Sequence, residues 1–132
     1  MIYLDTHVVV WAYAGEVERL PPGVCAQIEA NDLLISPLVL LELQYLYEIE
    51  RLAVEPGIVY ESLACTIGLS LCDLPLLRVI TEALPQTWTR DPFDRLIVAT
   101  AAAREAVLIT KDAGILAHYP RAFWGDLARS PA

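Results

Sequence analysis

The chain has 132 residues, which is enough for a domain with a substantial core, and we expect one domain over residues 1–132. Its formal net charge is −8, from 17 acidic and 9 basic residues, and this balance argues against a protein that binds nucleic acid nonspecifically through a basic surface. No apolar run reaches the roughly 20 residues of a membrane span, and the first residues do not resemble a signal peptide, so we expect a cytoplasmic protein without membrane contacts.

Short, continuously apolar segments alternate with helical segments along the sequence. Prolines at helix starts and glycines or polar residues at helix ends mark most of the boundaries. The predicted strands cover residues 2–4, 33–35, 69–72, 107–109 and, at an edge, 122–124. The predicted helices cover residues 6–14, 21–30, 37–52, 56–68, 75–84 and 91–105. This alternation is typical of an α/β fold, a sandwich in which helices cover both faces of a short parallel sheet.

Two aspartates follow predicted strands. Asp5 comes directly after the first strand, and Asp112 comes shortly after the strand that ends at Ile109. The carboxyl ends of parallel strands share one edge of a sheet, where ligands bind, so we expect both carboxylates at that edge. Each aspartate also has a structural explanation. Asp5 precedes a helix that it could cap, and Asp112 could cap the short turn containing Ala113 and Gly114.

The predicted helix over residues 37–52 carries one acidic residue on its apolar stripe. Ser36 is its predicted N-cap, and Pro37 suits the first helical position. Glu42 shares the stripe with the apolar residues Leu38, Val39, Tyr45, Leu46 and Ile49. A carboxylate on a core face needs a partner, and the sequence leaves two open, a shared cation or a buried pairing with Arg95 or Arg51.

The segment RDPFDRLIVATAAA, residues 90–103, places two acids at the start of an apolar helix. Asp91 precedes Pro92 and is the predicted N-cap. Asp94, three residues further on, suits the positive end of the helix dipole. It also shares a face with Ile97, Val98 and Ala101, which we expect to be buried.

Asp5, Glu42, Asp94 and Asp112 together indicate a metal site. Converging carboxylates cannot all stay ionised near neutral pH without cations, because two unit charges about 4 Å apart repel by about 4 kcal/mol at an effective dielectric near 20. Oxygen ligands without His or Cys select Mg²⁺ or Mn²⁺ over zinc, and such ions support phosphodiester hydrolysis. We assign Asp5, Asp94 and Asp112 to direct or water-mediated metal contact, and Glu42 as a ligand or as the group that orients the attacking water.

The cysteines and histidines do not predict a zinc site. Cys25, Cys65 and Cys72 form no CxxC pair and lie in apolar segments, so we expect all three to be buried reduced thiols. His7 and His118 are too few and too far apart in the sequence to complete a zinc site.

Other classes of function compete with a metal-dependent hydrolase. The hydrophobic fraction of 56% exceeds the roughly 45–50% of typical soluble domains, which fits a binding module that buries surface against a partner. A receiver domain phosphorylated on a strand-end aspartate also has an acidic pocket, but Glu42 on a mid-chain helix has no role in such a pocket. A glycosidase needs two acids and a sugar cleft, and nothing in the sequence indicates such a cleft.

The four acidic segments resemble those of a PIN domain and, within that family, of the VapC-type ribonuclease toxins of toxin–antitoxin modules. The matching segments are MIYLDTHVVVWAYAG, SPLVLLELQYL, RDPFDRLIVATA and VLITKDAGI. The resemblance implies an α/β/α sandwich, Mg²⁺- or Mn²⁺-dependent cleavage of RNA, inhibition by a cognate antitoxin, and homodimers. Carried over by position, the acidic site is Asp5, Glu42, Asp94 and Asp112. The alternative is a catalytically inactive PIN-like binding module that acts through protein partners.

The resemblance also implies roles for neighbouring residues. Thr6 and Thr110 match hydroxyl positions that support the site from behind the carboxylates. Asp91 belongs to the same pattern, although its position before a proline favours the N-cap. Arg95 either pairs with an acid or contacts an RNA phosphate. His7 occupies a position where relatives often carry Asn or His, and it either lines the site or stabilises an apolar helix.

Overall fold

The computed structural model of the protein describes residues 1–125. The strands within this range are β1 (Ile2–Leu4), β2 (Leu33–Ile35), β3 (Ser70–Leu71), β4 (Val107–Ile109) and β5 (Ala122–Phe123). The helices are α1 (Thr6–Ala14), α2 (Pro22–Ala30), α3 (Pro37–Glu48), α4 (Pro56–Ile67), α5 (Leu76–Ala83), α6 (Pro92–Ala103) and α7 (Ala113–His118). A short 3-10 turn, Val17–Arg19, lies between α1 and α2.

The five strands form one parallel sheet in the order β3-β2-β1-β4-β5. The predicted α/β sandwich with a short parallel sheet is therefore confirmed, including the edge strand near residue 122. At the centre of the sheet, Tyr3 lies opposite Leu34 on one side and Leu108 on the other. Because all neighbours are parallel, the carboxyl ends of β1, β2 and β4 lie along the same edge.

The core lies on both faces of the sheet, as expected for a parallel sheet that helices cover on each side. All of β1 is buried, and Leu108 and Ile109 of β4 are fully buried. The fully buried helix residues are Val8, Val9, Val24, Val39, Leu43, Val59, Val98, Ala99, Ala101 and Ile115. Outside the sheet, α5 packs along α6. None of the helices formed by residues 1–125 has the length and apolar character needed to cross a membrane.

The capping residues at the helix starts act as the sequence predicts. Ser36 Oγ accepts a hydrogen bond from Leu38 N, and Asp91 Oδ1 accepts one from Phe93 N. The predicted end of α3 near residue 52 is wrong, because the helix ends at Glu48. Glu50 adopts the left-handed conformation, with φ +62°, and this turn stops the helix four residues early.

The predicted apolar stripe of α3 is also partly wrong. Val39 and Leu43 are fully buried, whereas Tyr45 is 48% exposed and Ile49 is 60% exposed. The reason is tertiary, since α3 packs against α4 and α6 and these neighbours cover its Val39–Leu43 side. The helix therefore has apolar residues on both a buried and an exposed face, and periodicity alone does not distinguish them.

The expectation that all three cysteines are buried is correct only for Cys72. Cys25 is half-buried and Cys65 is exposed on α4. All three are free thiols. The thiol of Cys72 accepts a hydrogen bond of 3.0 Å from the Tyr3 hydroxyl. Burial and, to a smaller extent, this contact raise the pKa of Tyr3 well above its ordinary range.

Candidate functional site

A cavity of about 470 Å³ opens at the carboxyl edge of the sheet. It lies where β1 and β4 end and where α3 and α6 pass the sheet. Its lining consists of five carboxylates, a histidine, an arginine and four other side chains: Asp5, Glu42, Asp91, Asp94, Asp112, His7, Arg51, Thr6, Val10, Trp11 and Leu46. All four acids of the sequence-derived site therefore face one cavity.

Asp5 is the most firmly held of these carboxylates. It is 4% exposed and lies between the end of β1 and the start of α1. Its Oδ1 accepts a hydrogen bond from Thr6 N at 2.8 Å, so it caps α1, and its Oδ2 accepts one from Thr110 Oγ1 at 2.7 Å. The Asp5 side chain thus both caps α1 and lines the cavity.

Thr110 connects the two strand ends that carry the aspartates. Its fully buried hydroxyl donates to Asp5 Oδ2 and accepts a 3.0 Å hydrogen bond from Asp112 N. Asp112 Oδ1 in turn accepts from Ile115 N and caps α7. Gly114 leaves room for this cap, because a Cβ there would lie 3.1 Å from Asp112 Oδ1.

Glu42 reaches the cavity from the middle of α3. Its Oε1 accepts a short hydrogen bond from the hydroxyl of Thr6, which follows Asp5 directly. The predicted alternative pairing of Glu42 with Arg95 or Arg51 is wrong, since neither arginine forms an ion pair with it among the described residues. Arg95 instead donates to the main-chain oxygens of Ala83, Leu84 and Thr89. Those bonds use its guanidinium to hold the loop before α6.

Asp94 stands half-buried at the start of α6, above Ile97 and Val98, which are buried as predicted. Burial, together with the negative charges of Asp91, Asp112, Asp5 and Glu42, raises its pKa from the ordinary 3.8 to about 7. Asp91 Oδ1 caps α6 by accepting from Phe93 N and Asp94 N, which confirms the predicted N-cap.

The pKa of Glu42 is raised by the same two effects, burial and neighbouring negative charges. Burial raises the pKa of its carboxyl, the Thr6 hydrogen bond opposes that change, and the charges of Asp5 and Asp91 add to it. Two carboxylates on different helices are thus held toward their protonated forms by burial and by one another. A cation in the cavity would reverse this effect for both.

The sequence did not single out Trp11 or place Arg51 on the cavity. Trp11 lies one helical turn after His7, and the two rings are 5.2 Å apart. The His7 Nε2 accepts a 2.8 Å hydrogen bond from Lys111 N, which requires an unprotonated nitrogen. Burial lowers the pKa of His7 in agreement with this, although Asp5 and Asp112 oppose the shift. The helical spacing of Thr6, His7 and Trp11 is the signal that could have located Trp11.

The donor set of the cavity fits a hard divalent cation. Its acids offer carboxylate oxygens without a thiol, and their charges already disfavour one another. Asp5, Glu42, Asp94 and Asp112 are the residues that could hold such an ion. Within residues 1–125, however, no three His, Cys, Asp or Glu side chains are grouped closely enough to bind a metal as they stand. Binding would draw these side chains together.

The fold and the cavity define the class, an α/β protein with an acidic cavity at the carboxyl edge of its sheet, and comparisons with known proteins give its family. Residues 2–121 match the PIN domain profile. Ribonuclease VapC22 of Mycobacterium tuberculosis (strain ATCC 25618 / H37Rv) is 33% identical over 127 residues, which are 91% of this chain and 94% of that protein. The chain therefore belongs to the PIN domain family, in its VapC-type group, and the resemblance stated from the sequence is confirmed.

Two solved structures share the fold. VapBC2 from Rickettsia felis, bound to a DNA fragment from its promoter, aligns with a TM-score of 0.60 at 22% identity. A toxin–antitoxin complex from Klebsiella pneumoniae aligns with a TM-score of 0.62 at 16% identity. Each alignment covers 93% of this chain and 96% of the other. At these identities the likeness shows the common architecture.

Proposed function

We propose that the protein is a metal-dependent endoribonuclease, the toxin of a type II toxin–antitoxin module, which acts on cytoplasmic RNA and is inhibited by a cognate antitoxin. The observation that supports this most directly is that one cavity is lined by five carboxylates, those of Asp5, Glu42, Asp91, Asp94 and Asp112. The relative named Ribonuclease VapC22 matches nearly the whole chain, which supports RNA as the substrate.

In this proposal Asp5, Asp94 and Asp112 hold Mg²⁺ or Mn²⁺ directly or through water. When bound, the ion lowers the pKa of a water molecule and stabilises the leaving oxygen of the phosphodiester. Asp5 keeps its orientation because Thr6 N and Thr110 Oγ1 each bind one of its oxygens.

Glu42 is the proposed positioning group for the attacking water, or a further ligand. Its Oε1 is fixed by the Thr6 hydroxyl, which holds the carboxylate in one orientation at the cavity. Thr6 and Thr110 thus support the carboxylates through hydrogen bonds that fix their orientation. In the same arrangement Asp91 fixes the start of α6 and so the position of Asp94.

The decisive experiment measures RNA cleavage and growth arrest by Asp5→Asn and Asp94→Asn. Both variants should lose activity by at least about a hundredfold, because each removes a charge that the metal and the transition state require. Asp32→Asn is the matched control, since Asp32 is exposed at the amino end of β2. Circular dichroism checks that each variant is folded. Full cleavage by both folded cavity variants would exclude this function.

A homodimer is the proposed assembly. Large apolar side chains are exposed on two helices that both pack against α6, and a second copy would cover them. These residues are Leu41 and Tyr45 on α3, Ile49 directly after α3, and Leu76 and Leu77 on α5. Sedimentation velocity should show a dimer, and a monomer at micromolar concentration would contradict this part of the proposal.

The second candidate is a PIN-like binding module without catalysis. It is supported by the absence, within residues 1–125, of three side chains already grouped to hold a metal. The two candidates differ in metal binding. Isothermal titration with Mn²⁺ should show millimolar or tighter binding that disappears in Asp94→Asn if the protein is a nuclease. No uptake by the wild-type protein would favour the binding module.

A further inference from the structure

An aromatic and basic cluster adjoins the acidic cavity. Trp11 is its centre, with the guanidinium carbon of Arg19 5.3 Å and the ammonium nitrogen of Lys111 5.7 Å from the centroid of its ring. The rings of His7 and Trp124 lie 5.2 Å and 5.9 Å from the same ring. Trp11 is half-buried and therefore held in a fixed orientation, but part of its surface borders open space.

This cluster borders a second, shallower cavity of about 260 Å³. His7, Trp11, Lys111 and Asp112 line it, and all of them except Lys111 also line the acidic cavity. The two cavities therefore adjoin and share His7, Trp11 and Asp112 as lining residues. A chain-like substrate whose reacting group lies among the carboxylates would extend over Trp11.

The distribution of charge makes this cluster unusual in an acidic protein. The sequence contains a single lysine, Lys111, among its 9 basic residues. Several arginines are already bound within the fold, such as Arg78 to the Ala103 carbonyl and Arg104 to Asp73. Lys111 and Arg19 are both exposed and lie over one indole ring, and Arg19 also pairs with Glu16 at 2.6 Å.

An aromatic ring beside exposed cations has the features of a nucleotide-binding platform. A nucleobase stacks on an aromatic face, and a neighbouring ammonium or guanidinium group contacts the phosphate. Such stacking requires an unpaired base, so it selects single-stranded RNA. A carboxylate-rich cavity alone repels the phosphate backbone, and Lys111 lies where it would offset that repulsion.

We propose that Trp11 stacks on a nucleobase of single-stranded RNA next to the scissile phosphate, while Lys111 contacts the adjoining phosphate. This inference rests on the proposed function and adds to it a subsite for one flanking nucleotide. Trp11 contributes to binding through its ring, and His7 and Trp124 hold that ring in place. The subsite makes cleavage depend on a base at one position relative to the cut.

The test combines protein variants with abasic RNA. The affinity of a fluorescein-labelled single-stranded RNA is measured by anisotropy in an Asp94→Asn background, which prevents cleavage. The RNAs carry one abasic nucleotide at successive positions around the site that the wild-type enzyme cuts. One abasic position should weaken binding about fivefold to a hundredfold, as expected for the loss of one stacked base.

In the same Asp94→Asn background, the Trp11→Leu variant should bind the intact RNA about as weakly as the protein with Trp11 unchanged binds the RNA whose abasic nucleotide weakens binding. The Trp11→Leu variant should therefore bind these two RNAs with equal affinity. Trp11→Phe retains an aromatic face and should keep part of the discrimination, so the test remains valid if the leucine variant does not fold. Lys111→Gln should weaken binding of every RNA in the series. Trp88→Leu, which removes an indole outside both cavities, should keep the full discrimination.

The outcomes separate this inference from the proposed function. If the wild-type protein neither cuts nor binds RNA, both are overturned. If it cuts RNA but no abasic position affects binding, only the subsite is overturned. The subsite is also overturned if Trp11→Leu distinguishes intact RNA from abasic RNA as well as the protein with Trp11 unchanged does. This outcome would hold even if the variant alters binding to a protein partner.

Discussion

At the scale of single residues, the Thr110 hydroxyl joins the two strand ends of the site. It donates to Asp5 and accepts from Asp112 N, so it satisfies a carboxylate and a main-chain amide with one group. Valine has nearly the same shape but cannot form either bond. Thr110→Val should therefore lower the free energy of unfolding by about 1–3 kcal/mol, measured by urea denaturation.

Thr110→Ser is the matched control for that substitution, because serine keeps the hydroxyl and loses only a methyl group. It should remain closer to the wild-type stability than Thr110→Val. Equal stability of the two variants would contradict the role of the hydroxyl.

Asp94 makes the stability of the metal-free protein depend on pH. Its pKa is about 7 in the folded protein and near 4 when unfolded, so the folded state binds the proton more tightly. The contribution of Asp94 to the free energy of unfolding is thus most favourable below about pH 4, and it is lost as the pH rises toward about 7. In EDTA near pH 8, the free energy of unfolding of Asp94→Asn should exceed that of the wild type by ~1–2 kcal/mol. This value is reduced for the solvent screening of a half-exposed group.

Unfolding measured from about pH 4 to pH 8 checks this expectation. The difference between the wild type and Asp94→Asn should nearly vanish at the acidic end. Asp32→Asn, at an exposed position far from the cavity, should follow the wild type throughout. If Asp94→Asn is more stable than the wild type by the same amount at every pH, the negative charge of Asp94 is not the cause of the difference.

At the scale of elements, the strands were predictable because a doubly covered parallel strand is apolar at every position. The triplets at Ile2–Leu4, Leu33–Ile35 and Val107–Ile109 all follow this pattern and all form strands. Helix starts were predictable from local capping chemistry, as Ser36 and Asp91 show. These features depend on residues close in sequence.

The end of α3 and its buried face were not predictable in the same way. Glu50 has a left-handed conformation that no residue preference signals, and Tyr45 is exposed because of where α4 and α6 pack. Likewise, Asp5 and Asp112 were placed at one cavity because strand ends share an edge. Arg51 could not be placed at the cavity from the sequence, because it reaches the cavity from a turn whose path is set by tertiary contacts.

Glu105 offers a test of backbone strain at an element boundary. It lies between α6 and β4 with φ +52°, a conformation in which a side chain is unfavourable and glycine is not. Glu105→Gly should raise the free energy of unfolding by about 1 kcal/mol and increase Tm by a few degrees, measured by calorimetry.

Glu61→Gly is the opposite case, because Glu61 is exposed in the interior of α4. The same chemical change should there lower the free energy of unfolding by about 1 kcal/mol. If both glycine variants shift Tm in the same direction, the conformation of residue 105 is not the cause of the effect.

At the scale of the whole molecule, a net charge of −8 opposes association with RNA. The basic side chains around the two cavities are Arg19, Arg51 and Lys111. Each phosphate contact to single-stranded nucleic acid contributes about −0.7 to the slope of log affinity against log salt concentration. The slope for this protein should therefore be about −2, which is shallow for a nucleic-acid-binding protein.

Affinity measured over a series of salt concentrations gives this slope. Arg51→Gln should make it shallower by about 0.7, whereas Arg121→Gln, outside both cavities, should leave it unchanged. A steep slope in the wild type would mean that RNA contacts a basic surface elsewhere.

The hydrogen bond between Thr110 and Asp5 also constrains when the cavity can exist during synthesis. It joins residues that are 105 positions apart, and the strands that carry them are neighbours in the sheet. At translation rates of about 5–20 residues per second, roughly 5–20 s separate the synthesis of Asp5 from that of Asp112. Throughout that interval β1 lacks its β4 neighbour, so a nascent chain still attached to its ribosome and its own message carries no assembled site.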